Sequence, residues 1–148
     1  MLHNHLLTFK TQGPIAVRNI TPDVQRFVQN AGIRQGQILV FSRHTTTAIA
    51  INEDEERLLE DLSTYLTKLA PPTDTYLHND LELRPNIPEA EPRNAHAHLM
   101  AITIGNSQTI PIIDGALALG TYQSILLVEL DGPRSRSVLL QAIGMHLV

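Results

Sequence analysis

The chain has no cysteine and no tryptophan, and aromatic residues fill only 4% of its 148 positions. Without cysteine there is neither a disulfide nor a thiolate metal site, so a transition metal would have to be held by imidazole and oxygen. The shortage of aromatics argues against a base-stacking platform for nucleic acid. A net charge of −4 supplies no basic field to draw in nucleic acid or anionic lipid. The first ten residues lack a cationic stretch followed by a long apolar run, and no window reaches the length of a membrane span. The expectation is a cytoplasmic protein that takes a small-molecule substrate and engages neither nucleic acid nor membrane. Apolar residues at 43% and charged residues at 18% are ordinary for a globular chain. With no composition shift, residues 1–148 read as one domain.

Turn chemistry at Thr11-Gln12-Gly13-Pro14 separates two strand-like runs, Leu2 to Lys10 and Ile15 to Ile20, which predicts an N-terminal hairpin. Thr21-Pro22-Asp23 places a capping hydroxyl, a first-turn proline and an early acid ahead of Val24, Phe27, Val28 and Ala31 at helical spacing, with Gly32 as the stop. Gln37 to Ser42 suits a buried strand, and Thr45 to Ile51 continues in β-favouring residues. If that second run is extended, His44, Thr46, Ala48, Ala50 and Asn52 share one face, a possible pocket floor. Asp54, Glu55 and Glu56 open a second helix with a leucine stripe from Leu58 to Leu69, stopped by Pro71-Pro72. Thr73 to Leu77 is a short strand candidate. Asn94 can cap a helical segment from Ala95 to Ala101, after which Ile102-Thr103-Ile104 leans towards strand. Gln108 to Ile113 holds Pro111 and belongs near an edge, Tyr122 to Leu130 is the strongest strand, and Ser137 to Val148 is another. Several hairpin-like turns with two or three helices give an α+β class with antiparallel pairing.

Between His78 and His98 lies a long polar loop that Pro85, Pro88 and Pro92 keep out of regular structure, and it carries three of the seven histidines. Converging imidazoles are the usual way to hold zinc without cysteine, and His44, His78 and His98 lie on three separate elements. Spacing alone favours separate surface or core histidines, since no compact H-E-x-x-H signature is present. His96 and His98 share a face in a strand but diverge by about 200° on a helix. Glu53 suits a general base, a ligand or a helix-start carboxylate. Glu129, on an apolar strand, needs a partner, and Arg134 or Arg136 across the turn could supply one. Arg84, Arg93 and Arg134 could meet phosphate, although no P-loop or Rossmann pattern accompanies them and solvated arginines are the default.

His44-Thr45-Thr46-Thr47-Ala48 with Asn52-Glu53, His78-Asn79-Asp80, Asn94-Ala95-His96-Ala97-His98-Leu99, Ile110-Pro111-Ile112, Leu119-Gly120-Thr121-Tyr122-Gln123 and Glu129-Leu130-Asp131-Gly132-Pro133-Arg134 together resemble the YjbQ family. That family is described as secondary thiamine-phosphate synthase enzymes. The resemblance implies an α+β fold with a large, mainly antiparallel sheet and a homotrimer. It implies a metal pocket whose histidines match His44, His78 and His98, with Asn52 and Glu53 as the catalytic pair. In a subset with an extended loop His96 also has a counterpart; Asp80, Arg84 and Arg134 are further candidate substrate contacts. Tyr122 stands where a Trp is usual. The implied reaction joins an aminopyrimidine methyl diphosphate to a thiazole phosphate, which normally calls for Mg²⁺ and cationic side chains at the departing diphosphate. Three histidines instead favour zinc and a water-activating hydrolase, with Glu53 as base. A non-catalytic metal- or ligand-binding trimer is a third reading.

Overall fold

The computed structural model describes residues 1–146. The chain runs β1 (Leu2–Lys10), β2 (Ala16–Asn19), α1 (Thr21–Ala31), β3 (Gln35–Ser42), β4 (Thr47–Asn52), α2 (Glu56–Leu69), two short 3-10 turns (Leu77–Asn79 and Leu81–Leu83), α3 (Ala95–Ile104), β5 (Ser107–Ile113), β6 (Ala116–Leu117), β7 (Ser124–Glu129) and β8 (Ser135–Met145). Every pairing is antiparallel, in a five-stranded sheet ordered β1-β8-β3-β5-β6 and a three-stranded sheet ordered β2-β7-β4. The class is α+β, as the mixture of turn signals and helical stripes predicts. No helix among the described residues is long and apolar enough to cross a membrane.

The three-stranded sheet is the middle layer. One of its faces sends Ile49, Ile125 and Leu127 into a core shared with Ile38, Val40, Val138 and Leu140 of the larger sheet and with Val24 and Val28 of α1. The opposite face sends Ala48, Val128 and Leu130 against Leu66 of α2 and Met100 of α3. Burial on both faces explains why Ile125 to Val128 is an unbroken apolar run rather than an alternating one. Each such side chain stabilises the fold by about 1.5–3 kcal/mol relative to exposure.

Local signals and pairing part company in several places. The helix at Thr21 forms, and Gly32 ends it in the left-handed conformation (φ 71°). Thr21 is not its cap, however: the N-cap is Ile20, and the Thr21 hydroxyl accepts the Ile125 amide at 2.8 Å, tying α1 to β7. The N-terminal hairpin does not form, because β1 pairs with β8 and β2 with β7. Thr73 to Leu77 is a turn leading into a 3-10 segment, not a strand. The stretch Ile102-Thr103-Ile104 completes α3, where its backbone bonds are already supplied within the helix. Within β8, the part of the expected strand at 147–148 lies outside the described residues. The small even-numbered face of β4 is no pocket floor, since Ala48 is buried under α2 and α3.

Candidate active site

His44 lies on the four-residue connection by which the chain leaves β3 at Ser42 and enters β4 at Thr47, crossing from one sheet to the other. The Ser42 hydroxyl accepts the His44 amide at 3.2 Å and also meets the Thr47 hydroxyl, so the corner is held by short polar side chains. The His44 ring reaches back to β8, where the Ser137 backbone amide lies 2.9 Å from Nε2. An amide can only donate, so Nε2 must offer its lone pair, and the neutral ring carries its proton on Nδ1. Burial, followed by the Arg136 charge, lowers the His44 pKa and keeps the ring in that neutral form.

His98 projects from α3 and His78 from the first 3-10 turn; their rings meet edge to face with centroids 4.7 Å apart. The loop between them is stapled rather than free. Arg84 donates to the His78 carbonyl at 3.0 Å and pairs with Glu91 at 3.6 Å, and Asn79 accepts the Ala95 amide at 3.1 Å. His78 Nε2 is buried without a partner. Burial first, and then His78, lowers the His98 pKa, so the His98 ring is suited to presenting a lone pair at neutral pH.

His44 and His98 line a common cleft of about 430 Å³ with Thr45, Thr47, Ile102 and Asn106. An adjoining lobe of about 360 Å³ shares both histidines and adds Arg43, Asn94, Arg134 and Arg136. The expected triad is therefore brought together only in pairs: His44 with His98 across the cleft, and His98 with His78 by ring contact. No group of three or more His, Asp or Glu side chains is gathered for a metal ion among the described residues. With Nε2 of His44 already used by Ser137, the three rings do not fit one ligand shell. The pair His78–His98 fits better, because one of its nitrogens is buried and unpartnered.

Asn52 and Glu53 do not join the histidines within this chain. They lie at the far end of β4 from Thr47, a span of about 17 Å at the usual rise of an extended strand, where with Tyr122 and Gln123 they line a separate cleft of about 470 Å³. Glu53 is not the helix start either, since Glu55 caps α2, accepting from the Leu58 amide at 3.0 Å and from that of Arg57. Asp80 sits between the two 3-10 turns, its carbonyl accepting the Leu83 amide at 3.0 Å. His96 lies on α3 two residues from His98, so helical geometry turns it away from the cleft. Arg84 is the loop staple just described. Arg134 does face the lobe, bonded to Asp131 at 3.0 Å.

Sequence reasoning did not single out Arg43 or Asn94 as cleft residues. Arg43 carried no signal beyond adjacency to His44. Asn94 occupies the N-cap position of α3 without a capping bond; its Nδ2 donates to Asp131 Oδ2 at 2.8 Å.

A family model described as UPF0047 protein YjbQ-like matches residues 5–145. A UPF0047 protein of Methanothermobacter thermautotrophicus is 41% identical over 138 residues, covering 93% of this chain and 90% of the relative. One from Archaeoglobus fulgidus is 43% identical over 137 residues, covering 93% and 98%. Among solved structures, a YbjQ-like protein of unknown function from Sulfolobus solfataricus superposes with a TM-score of 0.89 at 34% identity, covering 98% of this chain and 99% of its own. A hypothetical protein of Aeropyrum pernix gives 0.87 at 38% identity, covering 97% and 99%.

Proposed function

This chain belongs to the YjbQ-like UPF0047 family, and on that premise we propose that it is an enzyme acting on a small phosphorylated molecule in the cleft between His44 and His98. The proposed reaction is the one the family resemblance implies. The thiazole nitrogen attacks the methylene carbon of an aminopyrimidine methyl diphosphate, a C–N bond forms, the C–O bond breaks, and pyrophosphate leaves with the electron pair. The observation that carries this reading is a single cleft lined by two histidines held neutral and by three arginines. Such a reaction needs its negative leaving group met by fixed donors, which the Nδ1–H of His44 and the arginines are placed to provide. The test is to supply the two phosphorylated precursors and identify the product: thiamine phosphate with pyrophosphate supports the transferase, and free phosphate alone overturns it.

The contact of His78 with His98 favours a second reading, a zinc-type hydrolase of a phosphorylated substrate. A divalent ion, zinc-like for imidazole ligands or Mg²⁺ if the diphosphate recruits it, would supply Lewis acidity or a low-pKa water. His78 and His98 would hold it; the chain's own contribution is to fix those two rings through the Arg84 staple and α3. Zinc affinity is expected to fall at least about tenfold in His78→Ala or His98→Ala and to stay within about twofold in His44→Ala and Glu53→Gln. Calorimetry with zinc alone checks this, and a tenfold loss in Glu53→Gln would return that carboxylate to the shell. Turnover that survives chelation would remove the metal from either enzyme reading. No turnover at all would leave a metal- or ligand-binding protein.

We also propose a homotrimer. The outer face of the five-stranded sheet has no element packed on it among the described residues. Leu2 and Ile143 face one another there, beside Leu6, Met145 and Ile113, all 45–58% exposed. A cluster of large exposed apolar side chains on one sheet face supports a protein contact there. Sedimentation is expected to give three times the 16.4 kDa of one chain, and Ile143→Arg to lower that mass; a single-chain mass for the wild type at micromolar concentration would contradict it.

A further inference from the structure

We infer that the lobe lined by Arg43, His44, Arg134 and Arg136 is an oxyanion subsite for a phosphoryl group, in which His44 serves as a fixed hydrogen-bond donor and not as a metal ligand. It rests on the reading that this cleft is the working site. The assignment follows from which atoms are already spoken for. Ser137 occupies Nε2 of His44. Nδ1 has no hydrogen-bond partner among the described residues and is not among the enclosed unpartnered atoms, so its N–H is open to a ligand in the cavities His44 lines.

The arginines add to the same polarity. Arg136 directs Nε and one Nη to Glu129, at 2.8 and 2.6 Å, and uses that same Nη2 on the Thr46 hydroxyl at 2.7 Å, so its Nη1 donors are left over. Arg134 commits Nε and Nη2 to Asp131, at 2.8 and 3.0 Å, and likewise keeps Nη1. Arg43 has no ion pair among the described residues. The acids on this wall are engaged: Glu91 by Arg84, Asp131 by Arg134 and Asn94. What the lobe offers is therefore mostly N–H. Guanidinium forks suit the spread oxygens of a phosphoryl group, whereas a bare cation would find few lone pairs. Asn94 is 5% exposed on the same wall, and its Oδ1 is buried without a partner. Asp131 fixes its Nδ2, so the amide cannot flip to relieve the oxygen. That oxygen accepts and cannot donate, so the subsite rests on the histidine and arginine N–H groups and not on Asn94.

The probe is inorganic phosphate, titrated into the full chain by calorimetry and by phosphorus NMR at low salt. Wild type is expected to bind saturably. His44→Asn keeps an N–H near the position of Nδ1 and is expected to bind within about threefold of wild type, while His44→Gln, whose amide matches the other nitrogen, loses about tenfold or more. Arg43→Gln, at an exposed position that leaves the core intact, is expected to lose a similar factor. Nitrogen NMR of the labelled ring should find Nδ1 protonated and Nε2 bare. Absence of saturable phosphate binding, equal loss in the Asn and Gln variants, or a proton on Nε2 would each overturn the assignment. Turnover is measured on the same samples. Phosphate binding that depends on His44 without any turnover ends the enzyme reading and leaves the subsite standing; turnover without such binding does the reverse.

Discussion

Arg136→Ala is expected to destabilise the protein by about 3–5 kcal/mol, a large share of the total stability of a domain this size. Glu129 is 1% exposed and Arg136 6%. Their two-pronged contact is reinforced on the carboxylate by the Thr11 hydroxyl at 2.5 Å and by the Leu130 and Asp131 amides at 3.0 Å. Removing the guanidinium leaves a buried carboxylate that has lost its counter-charge, which costs more than the pair itself contributes. The double variant Glu129→Gln with Arg136→Met is accordingly expected to lose less than Arg136→Ala alone. Denaturant unfolding measures both, and a loss below about 1 kcal/mol for Arg136→Ala would remove the pair from the list of structural necessities. Burial by itself would raise the Glu129 pKa, but the bonds from Arg136 and Thr11 and the Asp131 amide outweigh it and hold the carboxyl below its usual value. The stability from that depression is present above the ordinary glutamate range, near about pH 4.3. It is lost as pH falls through the lower folded value. Wild type should therefore lose stability steeply in acid, and the double variant less so.

The second large effect is on turnover. His98→Ala is expected to lower the rate of the proposed reaction by roughly 10²–10⁴-fold, because the His98 ring both meets His78 and lines the cleft shared with His44. Alanine is a good helix former, so α3 should survive the change. His96→Ala is the comparison: that ring leaves the same helix in another direction and lines neither lobe of the cleft, so turnover should stay close to wild type. Equal losses in the two variants would mean that α3, not the His98 ring, was being measured. Undiminished turnover in His98→Ala would place the chemistry elsewhere, the cleft at Glu53 and Tyr122 being the next place to look.

What the sequence determined by itself is what local chemistry encodes. Pro22 and Gly32 bound α1 because a first-turn proline and a left-handed stop act within a few residues. The run from Tyr122 to Leu130 declared the strongest strand, which forms over Ser124–Glu129, and the absence of cysteine limited any metal to imidazole and oxygen. The short motifs around His44, His78 and His98 were enough to place the chain in its family. Partners distant along the chain were decided only by the tertiary structure. Strand pairing joined Leu2 to Ile143 and made β1 a neighbour of β8, because hydrophobic alternation says which face is buried but not against what. The same sheet geometry carried Asn52 and Glu53 along β4 away from His44, although they stand only a few residues on in sequence. Asp131 turned Asn94 from a helix cap into part of the cleft wall. The tautomer of His44 was set by a single amide from β8, since which ring nitrogen keeps its proton depends on a neighbour 93 residues away.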